Sequence, residues 1–170
     1  MTSSPLPGLS RLNAAAAPAA AALLHEVCSS TAWGAAVAAR RPYERVEDLF
    51  AASDAAMAAL TPADLREAMA GHPPIGRPTP GDATSAREQG GVAQDERAEL
   101  LDLGLAYQER HGHVFLICAT GATGAGIKAA LEARIGNDED TEREIVRTEL
   151  GKINRIRLGR LAESAQEDPS

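Results

Sequence analysis

His72 directly follows a predicted helix end and precedes Pro73 and Pro74. The partial negative charge at a helix C-terminus favours the imidazolium form, which suits this side chain to donating a proton near neutral pH. Thirteen to seventeen positions further on, Ser85, Glu88 and Gln89 lie within five residues of one another. Ser85-Ala-Arg-Glu88 matches a capping box, in which the serine accepts from the backbone and the glutamate reaches back. Yet Gly90 and Gly91 follow at once, where each costs a helix about 1 kcal/mol relative to alanine, and glycine there admits a substrate or another backbone. A carboxylate such as Glu88 near His72 would push the imidazole further toward its charged form.

Arg157 adds a third charged group. Helical geometry over Thr141–Ala162 places Leu150, Ile153 and Leu161 within about 60° of Val146, and Arg157 at about 20°, inside that apolar stripe. Arg160, at about −40° and near the helix end, reads as a side chain whose stem packs while its head reaches water. A guanidinium aimed at a core requires an anionic partner from the protein or from a ligand, because an unpaired buried charge is very costly. His111 and His113 have no third and fourth ligand at metal-binding spacing, so no metal site is expected. The chain also lacks a GxSxG elbow, a P-loop and a GxGxxG turn.

Short elements position these residues. Ser10 or Asn13 is a candidate cap for helix through the alanine block to about Val27, interrupted at Pro18. Thr31 is the candidate cap of a helix that carries Trp33 and ends near Arg40, ahead of Pro42. Val46, Leu49, Phe50, Met57 and Leu60 keep a helical period. Thr61 as cap, Pro62 at the first helical position and Asp64 in the first turn start another helix, which Gly71 closes. The loop from His72 to Thr84 holds Pro73, Pro74, Pro78 and Pro80, and a restricted loop of that length is often functional. Leu100, Leu103 and Tyr107 mark a helix ending around Arg110. Residues 114–119, VFLICA, read as an extended buried segment, and Ile127, Leu131 and Ile135 as a helix stopped by Gly136.

The whole reads as an all-α, single-domain bundle of about seven to nine helices, with a long Pro-rich loop and a short extended apolar segment. Residues 1–9 are expected to be a flexible N-terminus, 10–163 the helical domain, and 164–170 a disordered tail. Of the 170 residues, 44% are hydrophobic but only 3% aromatic, so the core is built from Ala, Leu, Val and Ile. A net charge of −7 offers no basic stripe to displace counterions, which argues against nucleic acid. No run of 18 apolar residues suits a membrane span, and the alanine block lacks the basic start of a signal peptide. The expected location is cytoplasmic. Cys28 and Cys118 are expected as reduced, buried thiols.

Taken in order, the motifs resemble one family. Gly71-His72-Pro73 with Ile75-Gly76, then Ser85-x-x-Glu88-Gln89, then Tyr107 through Ala119, then Arg134-Ile-Gly-Asn137, then Lys152-Ile-Asn-Arg-Ile-Arg157-Leu are similar to the 2-oxo-4-hydroxy-4-carboxy-5-ureidoimidazoline (OHCU) decarboxylases of uric acid degradation. Each motif is weak alone; their order and spacing are specific, and the resemblance extends from Leu12-Asn13 through Trp33 and Arg41-Pro42 to Leu161. It departs at His111 and His113, where the family often carries aromatics. The resemblance implies an all-helical domain and cofactor-free decarboxylation of OHCU to (S)-allantoin, with no metal. It implies His72, Glu88 and Arg157 as catalytic residues, and Pro73, Ser85, Gln89, Ile117, Cys118 and Ala119 as substrate-binding ones. It also implies a homodimer. The alternatives are a non-catalytic helical binding module on the same scaffold and a lyase for a related ureido or imidazoline acid.

Overall fold

A computed structural model describes residue 4, residues 6–73 and residues 94–164. Among these residues the regular structure is eight helices, α1 (Pro7–Ala14), α2 (Ala17–Val27), α3 (Thr31–Ala39), α4 (Val46–Ala59), α5 (Pro62–Ala70), α6 (Gln94–His111), α7 (Gly124–Arg134) and α8 (Glu139–Glu163). The all-α expectation and the helix number agree with this. The chain divides into two compact units, Met1–Asp64 with Gly151–Ser170, and Leu65–Leu150.

In the first unit α1, α2, α3 and α4 pack in sequence order. Helix α1 starts at Pro7, earlier than the boundary expected at Ser10. Asn13 is no cap: it lies inside α1, and its amide clasps the backbone of Tyr43, donating to the carbonyl at 2.8 Å and accepting from the N–H at 2.8 Å. The alanine block breaks at Ala15 and Ala16, and Pro18 falls in the first turn of α2, where a missing N–H is harmless. Arg41 Nη1 donates to the carbonyls of Leu12 and Ala15 at 2.8 and 2.7 Å, which satisfies the end of α1. Helix α3 is capped one residue earlier than expected, by Ser30, whose hydroxyl accepts from the Trp33 N–H at 3.2 Å. The fully buried Trp33 donates its indole N–H to Ser53 at 3.1 Å. The α1 and α8 backbones approach so closely that a Cβ at Gly8 would collide with the Leu161 carbonyl.

The start of α5 follows the sequence rule. Asp64 N–H donates to Thr61 Oγ1 at 3.2 Å, and Asp64 Oδ2 accepts from Thr61 N–H at 2.9 Å. In the second unit α6 packs on α7. The core there joins Leu100, Tyr107, Phe115, Ala119, Ile127 and Leu131. The Glu96 carboxylate fills the space that a Cβ at Gly124 would take, over the N-terminus of α7, where the helix dipole favours negative charge. Gly112, at φ 78°, carries the chain out of α6 in a conformation that favours glycine. Residues 114–119 then run without helix or strand, as expected of VFLICA.

Candidate active site

His72 sits two residues beyond α5, its backbone N–H bonded to the Met69 carbonyl at 3.0 Å and that of Gly71 to the Ala68 carbonyl at 3.2 Å. These bonds satisfy two of the helix's last carbonyls and fix where His72 leaves the helix. His72 and Pro73 are both half-buried. Ser85, Glu88 and Gln89 lie outside the described residues, as does the rest of the Pro-rich loop from residue 74.

Ile117, Cys118 and Ala119 belong to the same unit as His72 and Pro73. The Ile117 side chain is half-buried and packs against the core. The Ala119 carbonyl accepts from Ala122 N–H at 3.0 Å, which closes the turn into α7. Cys28 and Cys118 are both thiols. Cys28 is buried as expected, whereas Cys118 is only half-buried.

A buried ionic network, which the sequence reading did not identify, holds this segment. Glu142, on the first turn of α8, is fully buried, and Arg134, the last residue of α7, is 6% exposed. Arg134 Nε donates to Glu142 Oε1 at 3.1 Å and Arg134 Nη2 to Glu142 Oε2 at 3.0 Å. Tyr107 donates its hydroxyl to Glu142 Oε2, and Asn137 donates its amide to Glu142 Oε1 at 3.0 Å. The remaining arm of the guanidinium, Nη1, donates to the Leu116 carbonyl at 2.8 Å. The guanidinium carbon also lies 4.4 Å from the centroid of the Phe115 ring. Burial works against the charge on Glu142, but the hydrogen bonds from Arg134, Tyr107 and Asn137 outweigh it and hold the carboxyl below the ordinary glutamate range. Burial, then the hydrogen bond to Glu142, pushes the Tyr107 phenol well up. The signal was present in the sequence: on the α8 wheel Glu142 falls at about −40° from Val146, an acid in the apolar stripe.

The two departures at 111 and 113 keep the packing of rings. The imidazole of His111 lies 4.4 Å and that of His113 5.6 Å from the Tyr107 ring, centroid to centroid. His111 Nε2–H donates to the Ile135 carbonyl at 3.0 Å and His113 Nδ1–H to the Val114 carbonyl at 3.0 Å. Among the described residues, no group of three His, Cys, Asp or Glu side chains is arranged to hold a metal ion.

Arg157, in the first unit, corrects one step of the sequence argument. Its Nη1 donates to the Val27 carbonyl at 3.1 Å, at the C-terminal end of α2, where the helix's partial negative charge favours a cation. A carboxylate is therefore not the sole answer to its charge. Nor is the side chain central to the buried face. Before Leu150 that face is centred near Val146, but after Gly151 the fully buried residues are Asn154, Leu158 and Ala162, at about 80° to 160° on the same wheel. Arg157 and Leu161 thus fall at the edge and are half-buried.

These observations define an all-helical protein in which a histidine at a helix end and a clamped stretch of main chain share one unit. The family profile for OHCU decarboxylase matches residues 13–159, and the chain belongs to that family, a family of carboxy-lyases. The chain is 27% identical over 144 residues to the uric acid degradation bifunctional protein TTL of Arabidopsis thaliana, covering 79% of this chain and 44% of that protein. It is 30% identical over 126 residues to the uric acid degradation bifunctional protein PucL of Bacillus subtilis (strain 168), covering 71% of this chain and 26% of that one. The chain therefore spans less than half the length of the curated relatives it matches. Among solved structures, an OHCU decarboxylase crystallised in the presence of (S)-allantoin superposes with a TM-score of 0.72 at 24% identity, over 82% of this chain and 96% of that one. An (S)-allantoin synthase superposes with a TM-score of 0.67 at 19% identity, over 90% and 53%. These two likenesses establish the fold.

Proposed function

We propose that this protein decarboxylates OHCU to (S)-allantoin and CO2 in uric acid degradation, without a cofactor. The family match over residues 13–159 carries this reading. Loss of CO2 leaves an electron pair on a ring carbon beside a carbonyl and nitrogens, which hold it as an enolate-like anion. The substrate thus supplies its own electron sink, and the protein's work is to place the carboxylate, stabilise the anion and deliver one proton to one face.

In this reading His72 is the proton donor, and the prolines that follow it hold it in place before substrate arrives. Glu88 orients the imidazole and the departing carboxylate. Arg157 and Gln89 anchor the polar groups of the substrate, with Ser85, Pro73 and the main chain of Ile117, Cys118 and Ala119 as further contacts. The Arg134 hold on the Leu116 carbonyl supports the last of these assignments, because it fixes the adjoining backbone. The reading includes a cytoplasmic homodimer, and light scattering reads the oligomer. Among the described residues no helix is long and apolar enough to cross a membrane.

The rival reading, a non-catalytic module, drew on the departure at His111. That imidazole packs ring to ring on Tyr107, so the departure gives the rival no support. The test is the consumption of freshly generated OHCU. A rate above spontaneous decay and proportional to protein concentration is expected; decay unchanged by protein would leave the binding module or a lyase for a related ureido or imidazoline acid.

A further inference from the structure

A fully buried ion pair is weak evidence of stability, since apolar residues of similar volume often serve a core as well or better. What the Arg134–Glu142 pair supplies is fixed geometry. Both carboxylate oxygens of Glu142 are engaged, by Arg134, Tyr107 and Asn137, so the carboxylate has one orientation. That orientation sets the guanidinium, whose third arm reaches the Leu116 carbonyl at 2.8 Å while its face lies against Phe115. Residues 114–119 have no helix or strand to fix their backbone. The Ala119–Ala122 turn holds their far end, and Arg134 is a side chain that grips them immediately before Ile117.

We propose that Arg134, set by Glu142, is a positioning residue that fixes the main chain of Ile117, Cys118 and Ala119 for the substrate. The inference rests on the decarboxylase reading, in which that main chain touches OHCU. Arg134 itself touches no substrate; it acts through the Leu116 carbonyl. Its signature therefore differs from that of a residue needed only for folding. A purely structural loss lowers the fraction of folded enzyme and hence the maximal rate, and leaves the KM of the folded fraction unchanged. A displaced contact segment raises KM.

The test uses the full chain with Arg134→Lys. A lysine keeps a positive charge for Glu142, but its single ammonium cannot reproduce the fork that reaches Glu142 and Leu116 together. With far-UV circular dichroism matching the wild type, KM for freshly generated OHCU is expected to rise about tenfold, with a smaller fall in kcat. Tyr107→Phe, which loosens Glu142 by one bond, is expected to shift KM in the same direction by less, and it carries the test if Arg134→Lys does not fold. An active wild type with unchanged KM in the folded variants overturns this inference alone. A wild type without activity on OHCU overturns the functional reading and this inference together.

Discussion

Replacing Glu142 with glutamine tests the buried network most severely, because the shape is kept while the charge and one of the two acceptor oxygens are removed. Three donor groups meet this carboxylate, from Arg134, Tyr107 and Asn137, and Arg134 remains buried after the change. A hydrogen bond to a charged acceptor contributes about 1 kcal/mol more than one to a neutral acceptor, and Arg134 makes two of the four bonds, so together they give about 4 kcal/mol. That falls within the cost of breaking a buried ion pair. With a urea slope of about 2 kcal/mol per M, the unfolding midpoint should fall by about 2 M. Far-UV circular dichroism in a urea series reads it. Removing both charges, as Arg134→Met with Glu142→Leu, should cost less than the two single changes added, with a coupling of about 2 kcal/mol. The pH dependence has a definite sign. The folded-state carboxyl titrates below its ordinary value of 4.5, so its contribution is complete above that value and is lost as the pH falls through the folded-state value. The penalty of Glu142→Gln should therefore shrink in acid. A midpoint shift under about 0.5 M near neutral pH, with an unchanged slope, would refute the reasoning.

Three further outcomes follow from particular contacts. Tyr107 is raised above its ordinary value of 10.0, so its contribution to stability is complete below pH 10 and is lost as the pH rises toward the folded-state value. Tyr107→Phe should flatten the alkaline limb of a stability profile, leaving the part due to Tyr43, which burial also raises. Arg157→Met should lose about 1 kcal/mol of stability with the bond to the Val27 carbonyl, and raise KM at least about tenfold; equal activity would remove Arg157 from substrate binding. Glu88→Ala should abolish most turnover with helical content intact, and full activity would remove Glu88 from the mechanism.

Local signals in the sequence placed most of the helices. Thr61, Pro62 and Asp64 start α5 by rules that involve only neighbouring residues, and the structure obeys them. Ser30 and Thr31 are adjacent residues of one capping type, so sequence alone could not choose between them, and the choice of Ser30 comes with the burial of its side chain. The apolar run at 114–119 was legible as buried, but the arginine that fixes it comes from α7, and no periodicity within the run reveals a partner 18 residues away. The single wheel drawn for α8 failed for Arg157 because it assumed one buried face, while beyond Ile153 the fully buried residues lie on another. The same wheel contained Glu142, whose place in the stripe called for the same question that Arg157 raised.

The central claim is that this chain makes (S)-allantoin from OHCU with His72 delivering the proton to one face. Spontaneous breakdown gives both hands of allantoin in equal amounts, so handedness separates enzyme from background. Freshly generated OHCU, followed by circular dichroism with the wild-type protein and with His72→Ala, reads both rate and hand. Rapid appearance of optically active (S)-allantoin is expected with the wild type, and little above background with His72→Ala at unchanged helical content. No optical activity with the wild type, or an undiminished signal with His72→Ala, would contradict the claim.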